Sequence, residues 1–196
     1  GDRGTATPPP RKATSMTFVA GAVLTADDLN TALAAAGGMR LIGTYSPSAS
    51  SSYSINSIFS SAYSAYILEM ELTAASGSPI CSLRFRASGT DNSATEYDVS
   101  LIIDNPTTPA SSLTTAQTSG AFTRVGTALS TTTLRVYRPA SAEPTSWRSQ
   151  YVYGIASPAQ GMYAGGHEVS ASYDGLTIIP ASSSISGTIR VYALAQ

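Results

Sequence analysis

Charged residues are scarce in this chain. Lys, Arg, Asp and Glu make up 12% of its 196 residues, against roughly 25% in average soluble domains. The 11 basic and 12 acidic residues leave a formal net charge of −1. Because there is no basic excess to attract phosphates, we expect no nucleic-acid partner. Ser, Thr, Asn and Gly therefore have to supply the polar surface.

Cysteine, histidine and long apolar runs are nearly absent too. The one cysteine, Cys81, excludes an intrachain disulfide, and its place on the apolar side of a predicted strand indicates a small buried hydrophobe. The one histidine, His167, has no companion at metal-ligand spacing, so we predict a loop or surface histidine and no metal. No run of about 18 apolar residues exists, so no membrane insertion is expected.

Candidate catalytic groups are few. Asp91, Glu96, Asp98 and Asp104 cluster around one predicted strand, where they could bind calcium or act as the acid and base of glycoside hydrolysis. The stretch lacks the glycine and closing glutamate of an EF-hand, and the chain has no G-x-S-x-G elbow. We predict no enzyme, no catalytic residue and no cofactor. The alternative is a small hydrolase that uses Asp98 or Asp104 with His167.

One segment reads clearly as a helix. Thr25 is a good N-cap, Asp28 places negative charge in the first turn, and Leu29 and Leu33 form a narrow apolar stripe. Gly37 and the glycine after it end the helix. A helix of about three turns is marginal alone, so it packs either on its own subunit or on other copies around a symmetry axis.

The segment before this helix has the composition of an extended arm. Residues 1–15 are rich in Pro, Gly and Thr, and Pro8, Pro9 and Pro10 favour a polyproline conformation. A segment of this kind cannot fold alone, so it is a flexible tail or an arm that becomes ordered on a partner.

From Met39 onward the pattern changes to the period of two expected for half-buried strands. Residues 65–72 and 81–87 read as an antiparallel hairpin, in which Glu69 and Glu71 face Arg84 and Arg86. Residues 105–120 are rich in Thr, Ser and Pro and are expected to include a long connection, and glycines 161, 165 and 166 are expected to mark an irregular excursion. About eight strands with turn spacings of this kind favour a β-sandwich.

The predicted fold class is therefore mainly β. We expect an antiparallel, jelly-roll-like β-sandwich at residues 39–196, with a fibronectin- or immunoglobulin-like sandwich as the second choice. An extended arm at residues 1–15 and a linker with one short α-helix at residues 16–38 precede it.

The two ends of the chain carry a resemblance. The stretch TFVAGAVLTADDLNTAL is similar to a phrase of the type F-x-A-G-x-V-L-T-A-x-x-L-N near the N-termini of bacteriophage tail-fibre and minor tail proteins. The matching residues are Phe18, Ala20, Gly21, Val23, Leu24, Thr25, Ala26, Leu29 and Asn30. The ending SGTIRVYALAQ resembles the G-T-I-R-V-Y-G closing strand of such proteins, with Ala193 where glycine is expected.

The resemblance implies a non-enzymatic virion structural protein of the tail-fibre, minor tail or head-fibre type, made in the bacterial cytoplasm. It implies a homotrimer that displays its β-domain towards a host-surface glycan and binds other virion proteins through its N-terminal segment. The residues expected to serve in virion attachment are Pro8, Pro9, Pro10, Phe18, Leu24, Leu29 and Leu33.

Aromatic residues supply the candidates for receptor contact. Tyrosine and tryptophan have an apolar ring with a polar tip, which suits interfaces and sugar stacking as well as packing within a sandwich. Placed in or near loops by the strand prediction, Trp147, Tyr151, Tyr153 and Tyr163 are the ones expected to touch a receptor. Two alternative functions remain: a capsid or collar decoration protein that stabilises the particle, and a secreted carbohydrate-binding module.

Overall fold

The computed structural model describes residue 25 and residues 38–104, 110–154 and 158–194, with the backbone alone for residues 103 and 104. Within these ranges the chain contains strands and no helix. The predicted arm and the predicted helix after Thr25 lie outside the described residues. The strands are β1 Met39–Tyr45, β2 Tyr53–Ile55, β3 Ala65–Ala74, β4 Ile80–Ala87, β5 Thr90–Asp91, β6 Tyr97–Asp104, β7 Ala110–Gln117, β8 Gly120–Arg124, β9 Ser130–Tyr137, β10 Thr145–Tyr153, β11 Ala159–His167, β12 Gly175–Pro180 and β13 Ile185–Leu194.

The strands form two antiparallel sheets. The larger has eight strands in the order β1-β13-β3-β9-β10-β11-β6-β7. The smaller has the order β2-β12-β4-β5, with β8 also paired to β4. The mainly β, antiparallel character predicted from the period-two pattern is confirmed.

Alternation along each strand decides which side chains enter the core. On β3, residues 66, 68, 70 and 72 are at most 2% exposed, while Glu69 and Glu71 point the other way. The two sheets share this core: the ring of Phe85 on β4 lies 5.9 Å from Trp147 on β10 and 6.2 Å from Tyr97 on β6, between ring centroids. We call the side of the eight-stranded sheet that faces away from this core its outer face.

The predicted hairpin of β3 and β4 is wrong, because the two strands belong to different sheets. The expected glutamate–arginine pairs across it are therefore absent from the described residues. Glu71 pairs with Arg190 on β13 at 2.9 Å, and Glu69 accepts a hydrogen bond from Thr133 on β9 at 3.0 Å. Alternation marks the buried face of each strand, but not the neighbour to which the strand bonds.

The glycines of residues 159–167 do not mark an irregular excursion; they lie inside the regular strand β11. Gly165 is opposite Trp147 on β10, and Gly161 is opposite Tyr151. The aromatic rings occupy the space above the two glycines, so that a Cβ atom at either position would overlap the opposite ring. These glycines make room for large side chains rather than turns.

The stretch expected to include a long connection contains a strand that was not predicted, because β7 spans Ala110–Gln117 and β8 begins at Gly120. All eight residues of β7 are exposed, so neither face of this strand touches the core. Backbone pairing with β6 holds it in the sheet. A strand without a buried face has no apolar alternation, which is why its sequence resembles a loop.

Candidate functional site

A groove crosses four neighbouring strands, β9, β10, β11 and β6, on the outer face of the eight-stranded sheet. It consists of two adjoining depressions of about 360 and 420 Å³. Both are lined by Thr133, Gln150, Met162 and Ile102, which stand opposite one another in that order across the four strands. We refer to this feature as the outer-face groove.

Two arginines stand side by side in the outer-face groove. Arg135 on β9 is directly opposite Arg148 on β10. The guanidinium carbon of Arg148 lies 5.9 Å from the centroid of the Tyr137 ring, a cation–π contact. No carboxylate in the described part of the chain forms an ion pair with either arginine. Because like charges directly opposite one another weaken a sheet, this pair does not serve the stability of the fold.

Exposed apolar side chains concentrate on the same outer face. The described chain has seven large ones, and strand register places all but Leu129 on this face. Three of them line the groove: Ile102 at 55% exposure, Met162 at 45% and Val152 at 42%. Leu113, at 70%, lies beyond the groove on β7. Met39 and Leu41 lie at the opposite edge, on β1. Apolar surface gathered on one face is typical of an interaction site.

Three of the four residues predicted to touch a receptor are instead buried in the core. Trp147 is 2% exposed, and Tyr151 and Tyr163 are 3% exposed. Tyr153 is half-buried at the end of β10. The expected loop location is wrong for these three residues, because Trp147 and Tyr151 lie on the core-facing side of β10 and Tyr163 lies on the core-facing side of β11. In this arrangement these three rings offer no surface to a ligand.

Sequence reasoning missed the groove residues, although a signal for them existed. Arg148, Gln150 and Val152 alternate with the aromatic residues of β10, so they occupy the opposite face of that strand. The pairing of β10 with β9 and β11 then adds Arg135 and Met162 beside them. The parity was readable in the sequence, but the partner strands were not.

His167 is buried at the end of β11, so its predicted surface location is wrong. Its ring is fully enclosed, and it packs edge-on against Phe85, Tyr97 and Tyr173. The backbone N–H of Val169 donates to Nδ1 at 3.4 Å, which leaves the proton of the neutral ring on Nε2. Burial lowers the pKa of His167, and Glu96, whose carboxylate is 3.7 Å from Nε2, partly opposes the shift. The environment therefore favours a neutral histidine.

The acidic residues that were candidates for calcium or for hydrolysis do not converge. Asp91 pairs with Arg86, Glu96 accepts from Asn92 at 3.3 Å, and Asp98 accepts from the backbone N–H of Ala116 at 2.9 Å. The side chain of the fourth, residue 104, is outside the described set. Asp98 faces outward from β6, whereas the neighbouring Tyr97 faces the core beside the histidine. Among the described residues, no group of three or more His, Cys, Asp and Glu side chains is placed to bind a metal.

The predicted attachment residues lie outside the described residues; they are Pro8, Pro9, Pro10, Phe18, Leu24, Leu29 and Leu33. The described ranges contain no helix of the length and apolarity needed to span a membrane. Comparison with models of known protein families, with curated proteins and with solved structures found no match.

Proposed function

We propose that this chain is a non-enzymatic structural protein of a bacteriophage virion. It serves as a fibre or minor tail component that displays its β-domain for attachment to a host-surface glycan. The observation that carries this proposal is the outer-face groove, two adjoining shallow depressions of about 360 and 420 Å³ on a regular sheet. It combines arginine, amide, hydroxyl and apolar side chains, a mixture suited to binding. The resemblance at the two chain ends supports the virion assignment.

We further infer that the two sheets form a jelly-roll sandwich. Four strand pairs are nested from the outside inwards: β1 with β13, β2 with β12, β3 with β9 and β4 with β8. A long antiparallel hairpin rolled into two sheets produces this nesting, which supports the assignment. Jelly rolls occur in both viral capsid and lectin domains, so the site must decide the function.

The strands outside the nested pairs explain where the groove lies. These are β5, β6, β7, β10 and β11, and four of them extend the larger sheet beyond β9. The outer-face groove runs from β9 across β10 and β11 to β6. Three of its four strands are therefore additions to the nested framework, as expected if the framework provides stability and the additions provide recognition.

A decoration protein that stabilises the particle is the second candidate. The observation that favours it is the concentration of exposed apolar side chains on the outer face, together with the full exposure of β7. A free edge strand without charges is a ready site for pairing with another chain. In that case the outer face would contact a neighbouring virion protein and bind no sugar.

Immunoelectron microscopy of particles from the bacterium that harbours this gene tests the proposal. An antibody raised against residues 38–194 should label the particle surface, and its Fab fragment should reduce adsorption to host cells. Labelling with unchanged adsorption, combined with particles that become heat-labile when the gene is deleted, would favour decoration instead. Absence of the chain from purified particles would overturn both candidates.

A further inference from the structure

We propose that the outer-face groove binds an acidic polysaccharide, with Arg135 and Arg148 pairing with the anionic groups of the polymer. This inference rests on the proposed attachment function and specifies its ligand. The ligand is a sugar polymer that carries anionic groups at intervals. These groups are carboxylates or phosphates, and the choice of probe polymer distinguishes them.

The two arginines concentrate positive charge at one point of the groove. Arg135 and Arg148 stand directly opposite each other, and no carboxylate of the described residues pairs with them. The nearest acidic residue by strand register is Glu69, one row along the sheet, and it accepts from Thr133 at 3.0 Å. An external anion between the two guanidinium groups would relieve their repulsion. Arginine suits this role because its planar fork bonds carboxylate and phosphate groups in a bidentate way.

The contact with Tyr137 restricts the side chain of Arg148. The guanidinium lies over the ring at 5.9 Å. Stacking of this kind restricts a long side chain, so less conformational entropy is lost when it binds a ligand. Arg135, its partner across the strands, is half-buried and is therefore also restricted. Arg148 itself is exposed, so its charge stays accessible to a ligand while the Tyr137 ring restricts the side chain.

The floor of the groove is partly apolar. Ile102 and Met162 are cross-strand neighbours at 55% and 45% exposure, and they form an apolar strip beside the arginines. The side-chain amide of Gln150 approaches the sulfur of Met162 at 3.5 Å. Sugar rings present C–H groups on their faces and hydroxyls around their edges. The apolar strip matches the faces, and the amide with the hydroxyl of Thr133 matches the edges.

The groove is long enough for a short stretch of polymer. It crosses four strands, which corresponds to three spacings of about 4.8 Å, or about 14 Å. Each depression crosses the four strands, and the two share four lining residues, so they adjoin along the strand direction and form one continuous track across the sheet. A track of this length suits a short stretch of polymer better than a single sugar.

Binding by isothermal titration calorimetry with the full chain tests this proposal. The probes are an oligogalacturonate as the carboxylate-bearing sugar polymer, a phosphomannan as the phosphate-bearing sugar polymer, and dextran as the neutral control. At least one acidic probe should bind, and dextran should not. The affinity should fall as the salt concentration rises, since exposed charge pairs are screened. The preferred acidic probe identifies the anionic group.

Single substitutions locate the site. Arg135→Gln and Arg148→Gln should each weaken acidic-probe binding about tenfold, the loss expected for one charge-assisted contact. Arg148→Lys should retain part of the affinity because it keeps the charge but loses the fork. Arg138→Gln is the matched control: Arg138 is exposed on the turn after β9 and does not line the groove. This control should leave the affinity unchanged, and all four variants should unfold at the temperature of the unaltered chain.

Three results would overturn the proposal. They are dextran binding as tightly as the acidic probes, an Arg138→Gln loss equal to that of the groove variants, and no binding by any probe. A change of the oligomer mass in Arg148→Gln, measured by light scattering, would also overturn it, because a second copy of the chain would then cover the outer face. If the antibody labels particles but the chain binds no acidic probe, this inference falls and the proposed function stands. If the chain binds an acidic probe but is absent from particles, the groove remains a site for acidic polysaccharide and the proposed virion function falls.

Discussion

At the scale of single residues, the packing of Trp147 depends on a glycine across the strand. The indole ring covers the backbone of Gly165 on β11, and this ring is 2% exposed. The next residue, Gly166, points to the outer face, and nothing lies within 4 Å of an added Cβ there. The two glycines therefore form a natural comparison between a crowded and an open position.

We expect Gly165→Ala to lower the free energy of unfolding by about 2 kcal/mol, because the new methyl group overlaps the indole ring and overpacks the core. The control, Gly166→Ala, should change it by less than about 0.5 kcal/mol. Urea denaturation followed by tryptophan fluorescence measures both. Equal effects at the two positions would contradict the assigned register of β10 and β11.

His167 gives a pH-dependent prediction. Burial holds its folded-state pKa below the ordinary value, so between the two values the unfolded chain binds a proton that the folded chain does not. Stability is therefore full above about pH 6.5 and falls as the pH drops towards the folded pKa. The groups that face the ring are Glu96, Tyr97 and Tyr173.

Replacing His167 with Phe should flatten the dependence of unfolding free energy on pH between about 7.5 and 5.5, above the range in which carboxylates titrate. Urea denaturation at several pH values measures the slope. Glu96→Gln is the companion variant and should steepen it, since Glu96 opposes the downward pKa shift. A slope that survives in His167→Phe would assign the effect to another group.

At the scale of elements, a polar network ties four strands of the smaller sheet together. Arg86 on β4 pairs with Asp91 on β5 and donates to Ser54 on β2 at 2.8 Å and to Thr177 on β12 at 2.7 Å. Its Nε donates to Asn56 at 2.9 Å. The side chains of the charged pair are 12% and 25% exposed, so this network is shielded from solvent more than a surface ion pair is.

Arg86→Met should therefore lower the free energy of unfolding by about 2 kcal/mol, because it leaves Asp91 and its neighbours with fewer partners. Arg84→Met is the matched control on the same strand and face. Arg84 makes one backbone hydrogen bond, from Nε to the carbonyl of Thr118 at 3.0 Å, so its loss should be under about 1 kcal/mol. Chemical denaturation compares the two, and a larger loss for Arg84→Met would contradict the structural role of the network.

At the scale of the whole molecule, we expect the chain to assemble into a trimer. Six of the seven exposed large apolar side chains in the described residues lie on the outer face, and β7 is exposed along its full length. If the chain forms the expected trimer, its mass in solution is three times 20.2 kDa. Light scattering of the full chain and of a shortened chain that starts at Met39 tests this expectation.

The two masses together locate the symmetry. A trimer in both cases would place the contacts in the β-domain, whereas a trimer that dissociates without residues 1–38 would place them in the N-terminal segment. Monomers in both cases would contradict the free trimer and leave assembly on the particle or a lone binding module. Trimer formation also couples folding to association, so the unfolding midpoint should rise with protein concentration.

The local pattern of the sequence determined which side of each regular strand is buried. The alternation of Leu68 and Met70 with Glu69 is a property of neighbouring residues, so the core face of β3 was predictable. The same reasoning placed Cys81 in the core, where it is fully buried and its pKa is raised to about 12. The mainly β, antiparallel fold class followed from these patterns.

The tertiary structure alone decided which strands are neighbours, and with them the groove. Arg135 and Arg148 are 13 positions apart in the chain, and only the pairing of β9 with β10 brings them together. Gly165 resembled a turn residue until the ring of Trp147 lay opposite it, and β7 resembled a loop because no face of it is buried. Strand partners are chosen by the packing of the whole core, and a period of two carries no record of that choice.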